Sequence, residues 1–75
     1  MATQTNTDIA RVGVRLRTGM ITRVEAEAEI RVLLTAAGMT GEQLRNMLAG
    51  MLNWIEGWTT ADLNTFAQSV GALPI

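Results

Sequence analysis

The sequence Gly-Met-Thr-Gly-Glu-Gln-Leu at residues 38–44 joins the end of one helix to the start of the next. Its first glycine takes the left-handed conformation that closes a helix at little cost, and Met39 packs back on the last turn. Thr40 and Gln43, three residues apart, form a capping-box pattern. Met39 and Leu44 occupy the two hydrophobic staple positions around this box. Residues 38–44 therefore predict a tight turn between two helices.

Similar turn signals recur at a regular spacing along the chain. Glycines stand 19 residues apart at Gly19, Gly38 and Gly57. Each is followed by a large apolar residue and then by a threonine suited to capping the next helix, namely Thr22, Thr40 and Thr59. An internal repeat fits this spacing, but four helices of similar length explain it more simply. We predict an all-α fold, a compact array of four short helices joined by Gly/Thr turns, at about 7–18, 23–37, 41–56 and 60–71.

A β-hairpin is the competing interpretation of the first half of the chain. Residues 11–17 and 24–32 alternate apolar and charged side chains, and a hairpin would set arginines opposite glutamates. Alanine and glutamate, which fill the second stretch, are good helix formers and poor strand formers. Because Thr22 and Gly38 also bracket a segment of helix length, the helical interpretation is the stronger one.

The composition of the chain limits its chemistry. Its 75 residues make one small domain, placed at 7–75 behind a polar N-terminal leader at 1–6. Cysteine, histidine, tyrosine and lysine are absent, which excludes Ser–His and Cys–His nucleophiles, a Schiff-base lysine, a tyrosine acid and the usual zinc ligands, and leaves the carboxylates as the remaining catalytic or metal-binding groups. The apolar fraction is 48% and the charged fraction 17%, against about 25% charged residues in an ordinary soluble domain. We therefore expect a protein that is not an enzyme and that contacts other protein chains, as a homo-oligomer or in a larger assembly.

Helix three is the most apolar of the predicted helices. Its large apolar residues fill an arc of roughly 160°, wider than the ~100° stripe of an ordinary surface helix. Either this helix is the central one, or it keeps a face for another subunit. Tryptophan and methionine are enriched at interfaces, although the rings also suit the core. The candidate interface residues are Met47, Met51, Trp54 and Trp58.

Helix two has two apolar sides on a helical wheel. One side carries Ala26, Ile30, Leu33 and Ala37, and the other carries Val24, Ala28 and Val32. Its small residues permit close helix approach on both sides.

The basic residues are concentrated near the N-terminus. Residues 1–24 hold four arginines against one acid, giving +3, and residues 25–75 hold two arginines against six acids, giving −4. The candidate contact residues are Arg11, Arg15, Arg17 and Arg23. Their partners are either phosphates or an acidic surface, including the nearby glutamates. The net charge of −1 and the apolar helix three make nucleic-acid binding the less favoured alternative.

No motif for a metal or cofactor stands out. Glu25 and Glu29 lie one helical turn apart, but no second ligand cluster accompanies them. The glycines match neither a dinucleotide nor a P-loop pattern, so we expect no metal and no cofactor. No stretch is long and apolar enough to span a membrane, and the first residues do not resemble a signal peptide. We expect no membrane association and a cytoplasmic location in the producing cell.

Residues 19–26, Gly-Met-Ile-Thr-Arg-Val-Glu-Ala, resemble the G-x-[IM]-T-x-x-E-A turn between helices of bacteriophage portal proteins. The likeness covers eight of 75 residues and transfers no functional residue. The lysine-free, helical and apolar chain is also similar to the small accessory proteins of phage particles. These resemblances imply a structural or assembly protein acting through protein–protein contacts in a larger complex, such as a virion. The alternative is a small regulator that binds nucleic acid or a protein target, such as a transcription regulator or a phage-encoded inhibitor.

Overall fold

A computed structural model describes the backbone of residues 2–69 and the side chains of residues 6–69. Four α-helices, and no strands, make up this part of the chain: α1 (Ala2–Arg17), α2 (Arg23–Ala36), α3 (Gly41–Glu56) and α4 (Thr60–Ser69). The prediction of an all-α array of four helices is confirmed, and the hairpin interpretation is wrong. The predicted end of helix four at 70–71 lies outside the described residues.

The first helix begins earlier than the sequence predicted. It starts at Ala2, so residues 2–6, assigned to a polar leader ahead of a domain at 7–75, form its first turns. This stretch contains neither glycine nor proline. Threonine and asparagine lower helix propensity by at most about 0.7 kcal/mol per residue, which does not end a helix that is packed further along.

Helix α1 lies at the centre of the fold. It packs closely against α2, α3 and α4, whereas α3 packs closely against α1 and α2 and meets α4 through the ring of Trp54. Its buried side chains are Ile9, Ala10, Val12 and Val14, which point to more than one side of the helix. Helix α3 buries Leu48, Leu52 and Ile55 and so leaves part of its wide apolar arc outside the core.

The glycine turns follow the prediction at two positions of three. Gly19 and Gly38 have positive φ, at 79° and 95°, as a left-handed helix stop requires. Gly57 has φ −83°, close to helical, so the prediction of a left-handed stop after α3 is wrong. Gly41 at the start of α3 has φ 60°, a left-handed residue that the sequence pattern did not predict.

Two of the three predicted threonine caps form. The Thr22 hydroxyl accepts from the Glu25 N–H at 3.2 Å, and Glu25 accepts from the Thr22 N–H at 2.9 Å. Thr59 and Asp62 make the same reciprocal pair, with both distances 3.1 Å. Thr40 makes no side-chain cap bond, so the predicted box before α3 is wrong. The left-handed Gly41 that follows it changes the path of the chain into α3.

The cap geometry predicts different effects for two identical substitutions. Thr22→Ala should lower the free energy of unfolding by about 1 kcal/mol, because an N-terminal N–H of α2 loses its acceptor. Thr40→Ala should change it by less than about 0.5 kcal/mol, since no cap bond is lost. Thermal and urea denaturation followed by circular dichroism measure both values. Equal losses in the two variants would show that the Thr40 hydroxyl also caps its helix.

The cap of α2 also makes stability depend on pH. Hydrogen bonds from the Thr22 backbone and then its side chain hold the pKa of Glu25 below the ordinary value of 4.5. A carboxyl group whose pKa is lower in the folded state adds stability above its unfolded pKa and loses it as the pH falls through the folded value. Glu25→Gln retains a capping-box residue without the titration, so its melting temperature should fall less on acidification. Melting curves from neutral to acid pH that fall in parallel for both proteins would contradict this expectation.

Candidate protein interface

Trp58 belongs to the core rather than to the surface. Only 4% of the residue is exposed, and its ring stacks on Phe66 with centroids 4.4 Å apart. The indole lies against Gly13 of α1, where a Cβ atom would approach Trp58 Cη2 to 2.6 Å. The prediction of Trp58 as an interface residue is therefore corrected, because the turn after α3 directs its ring toward α1.

Trp54 is held in place and still exposed. Its ring meets those of Trp58 and Phe66 edge-on, with centroids 5.1 and 5.2 Å away. Nevertheless 44% of the residue is exposed. All three aromatic residues of the chain thus form one cluster, and Trp54 is its outer member. An indole that is already ordered loses little side-chain entropy when another chain covers it.

An apolar groove lies beside Trp54. It has a volume of about 480 Å³ and runs between α1, the C-terminal half of α2 and α3. Its apolar lining includes Leu33, Met39, Met47 and Met51. A second hollow lies next to it, since Met51 and Ile9 line both, and Trp54 forms one of its walls. We call the two hollows together the methionine groove.

The methionine groove suits apolar side chains of another protein. Met47 and Met51 are half-buried, and their flexible thioether chains adapt to irregular surfaces. Asn6 and Asp8 place polar groups at one side of the groove, as at the rim of a protein interface. The fold thus brings together Met47, Met51 and Trp54 of the predicted interface.

Sequence reasoning missed the other walls of the groove. Leu33 was assigned to the core face of helix two and Met39 to a staple, and both are only half-buried. Ile9 is buried and lies at the base of both hollows. A wheel treats one helix at a time, so it does not show which residues of three helices line one groove.

The four candidate arginines contact groups of this same chain. Arg15 pairs with Glu29 at 2.7 Å, and Arg11 pairs with Asp8 at 3.3 Å. Arg17 donates to the carbonyl oxygen of Ile55 at 2.7 Å. The remaining one, Arg23, pairs with Glu56. Of the alternatives left open by the sequence, the arginines therefore meet carboxylates and backbone carbonyls within the fold.

Arg17 has the clearest structural role of the four. Its guanidinium reaches two carbonyl groups at the end of α3, Ile55 O at 2.7 Å and Glu56 O at 3.3 Å. The last carbonyls of a helix lack intrahelical donors and carry partial negative charge, so a cation there is stabilising. Arg17 consequently ties the C-terminal ends of α1 and α3 together.

The carboxylates do not form a metal site in the described part of the chain. Glu25 is engaged in the α2 cap and Glu29 in the pair with Arg15. Among residues 6–69, no three acidic side chains are grouped so as to hold a metal ion. Across the described helices, none combines the length and the apolar character needed to cross a bilayer.

Comparison with known proteins gives no further guide to this interface. No protein-family model, curated protein or solved structure matches the chain. The resemblance of residues 19–26 to the portal turn stays a prediction. Any assignment of function therefore depends on the geometry of the chain itself.

Proposed function

We propose that this chain is a non-catalytic structural or assembly protein that works by binding another protein in the methionine groove. The observation that carries the proposal is the exposure of Trp54, 44%, at the edge of a methionine-lined groove. Tryptophan is the residue most often found at the energetic centre of protein interfaces. A small domain has few apolar side chains to spare, so an ordered tryptophan left half outside the core favours a contact with another chain.

The charges support protein binding over nucleic-acid binding. A surface that recognises phosphates presents several unpaired arginines, whereas each of the four candidates here, although partly exposed, contacts a carboxylate or a carbonyl of its own chain. Among the described residues Arg45 is exposed on α3 with no ion pair, and a single cation is a weak site for a polyanion. If the chain is instead a small regulator of another protein, that protein would bind in the same methionine groove.

The setting that we propose for this complex is a bacteriophage particle. The likeness of residues 19–26 to the portal turn supports this setting, and these residues form the turn after α1 and the first turn of α2, with Gly19 left-handed and Thr22 capping α2. Assembly would then take place in the cytoplasm of the producing cell.

Site-specific photocrosslinking tests the groove as the binding site. A benzophenone amino acid is placed at Ala37, which is exposed and lines the groove, and in a control protein at Gln68, which is exposed on α4. In the producing cell, position 37 should give one discrete protein adduct that position 68 does not give. Equal adducts from both positions, or adducts to nucleic acid only, would contradict the proposal.

The purified partner then allows a quantitative prediction. Trp54→Ala should weaken binding by about 30-fold, since an interface tryptophan contributes about 2 kcal/mol or more. Gln68→Ala, on α4, should leave the dissociation constant unchanged. Calorimetry at low and high salt measures both, and binding through the groove should persist at high salt. Unchanged affinity of a folded Trp54→Ala protein would exclude the groove as the binding site.

A further inference from the structure

The outer face of α2 is apolar and uncovered by any described part of the chain. Among residues 6–69, the most exposed large apolar side chains are Val24 at 74%, Met20 at 73% and Val32 at 67%. Ala28 lies between the two valines, four residues from each, and is also exposed. Because residues four apart share one side of a helix, these side chains form a continuous stripe. We call Val24, Ala28 and Val32 the α2 face.

We propose that the α2 face binds the α2 face of a second copy of this chain, with the two helices antiparallel and a two-fold axis at Ala28. The face is symmetric about this residue, with a valine four positions before it and another four positions after it. An antiparallel pair therefore sets Val24 against Val32 of the second copy. The small Ala28 side chains meet at the axis and permit a close approach of the backbones. Such a contact uses the same patch on both subunits, as closed dimers do.

The charges on one edge of the face are self-complementary. Glu27 and Arg31 flank the stripe on the same edge, and their contact within the helix is long, at 3.5 Å. Both side chains are largely exposed, 42% for Glu27 and 58% for Arg31. In an antiparallel pair this edge faces the same edge of the second copy. Glu27 then lies near Arg31 of the second copy, and Arg31 lies near Glu27 of the second copy. A parallel pair would instead set this edge against the edge that bears Glu25 and Glu29, where Glu27 would face like charge, so the antiparallel arrangement is the one that pairs both residues.

The other edge of the face borders a cleft that contains charges of both signs. Arg11 and Arg15 of α1 line a cleft beside Val32 together with Asp8 and Glu29, the carboxylates with which they pair. The two-fold axis carries Val24 of the second copy to Val32, and with it Glu25 of the second copy to this cleft. Glu25 is exposed but engaged in the α2 cap, and both arginines of the cleft are paired within their own chain, so this edge does not decide the pairing. The symmetry of the stripe about Ala28 and the self-complementary edge of Glu27 and Arg31 identify a second copy as the occupant of the α2 face.

This dimer is independent of the proposed function. The methionine groove uses Trp54, Met47 and Met51 of α3, whereas Val24, Ala28 and Val32 line neither of its two hollows. A variant of one surface should therefore leave the other surface active. The two proposals fail or succeed separately.

Sedimentation equilibrium of the purified chain tests the dimer. The wild-type mass should rise toward twice 8.1 kDa with concentration. Ala28→Glu places two identical charges at the axis and should give a monomer. Ala49→Glu makes the same change at an exposed position of α3 and should keep the dimer, as should Trp54→Ala. A wild-type monomer at all concentrations, or a dimer that Ala28→Glu does not weaken, would overturn the proposal.

A mixing experiment tests the pairing itself. Glu27→Arg leaves only arginines on the edge, and Arg31→Glu leaves only glutamates. Each variant alone should be a monomer, because the facing edges of two copies then carry like charges. Mixed together, the two should form a heterodimer, because each arginine then faces a glutamate of the other chain. Within each chain the two residues stay alike in charge, so recovery on mixing reports only the intermolecular contact. If both variants are folded by circular dichroism and the mixture stays monomeric, the antiparallel pairing is wrong.

Discussion

Trp58→Ala should unfold most of the protein. The ring is 4% exposed, stacks on Phe66 and fills the space above Gly13. Removing a buried tryptophan costs about 3–5 kcal/mol, because the transfer energy of the ring is lost and a cavity is left behind. A single core in a chain of this size supplies about 3–5 kcal/mol in total. The loss therefore equals the whole stability that the fold is expected to have.

The far-ultraviolet circular dichroism of the Trp58→Ala protein should be that of a largely unfolded chain. Trp58→Phe is the matched control, since it keeps a ring on Phe66 and removes an indole N–H for which the described side chains provide no acceptor. It should remain folded at reduced stability. Trp54→Ala, with a ring that is 44% exposed, should also remain folded. A helical Trp58→Ala protein with a cooperative melt near that of the wild type would show that the ring is not part of the core.

Gly13→Val should cost about 3 kcal/mol, the upper end of what overpacking a core costs. A Cβ atom at this position would lie 2.6 Å from Trp58 Cη2 and 2.9 Å from Ile55 Cγ1, closer than real carbon atoms approach. Both neighbours are themselves buried, so neither can move without displacing others. Valine, with two further methyl groups, increases the overlap.

Gly50→Val is the matched control for Gly13→Val. Gly50 also lies inside a helix, but a Cβ atom there meets nothing within 4 Å. The change in helix propensity from glycine to valine is small and favourable, so this variant should stay within about 0.5 kcal/mol of the wild type. Urea denaturation gives both values. Equal changes in the free energy of unfolding at the two positions would show that the effect of Gly13→Val comes from helix propensity and not from contact with Trp58.

The local signals along the sequence predicted the helices better than the turns between them. Three of four helices begin within a residue of their predicted starts, because capping threonines and glycines act through neighbours in sequence. The detail of a turn depends on backbone angles that residue type does not determine. Gly41 rather than Gly57 adopts a left-handed conformation, and Thr40 consequently makes no cap bond.

The candidate site was predicted only where one helix supplies it. Met47, Met51 and Trp54 share a face of α3, and helical periodicity places them together. The sequence predicted one tryptophan in the core and one at a contact, but not which, because the choice depends on the room that Gly13 of another helix leaves for the Trp58 ring. The partners of the arginines were not predictable for the same reason. The contact of Arg17 with the Ile55 carbonyl, for example, joins residues 38 apart in sequence.

The central position of α1 has a consequence for synthesis on the ribosome. The helix that is made first is the one that every other helix packs against, including α4, which is made last. At about 5–20 residues per second, the 52 residues between the end of α1 and the end of α4 take roughly 3–10 s to add. During that interval Ile9, Val12 and Val14 have no complete set of neighbours to cover them. Until α4 has been added, the nascent chain therefore exposes apolar side chains of α1 that the folded protein buries.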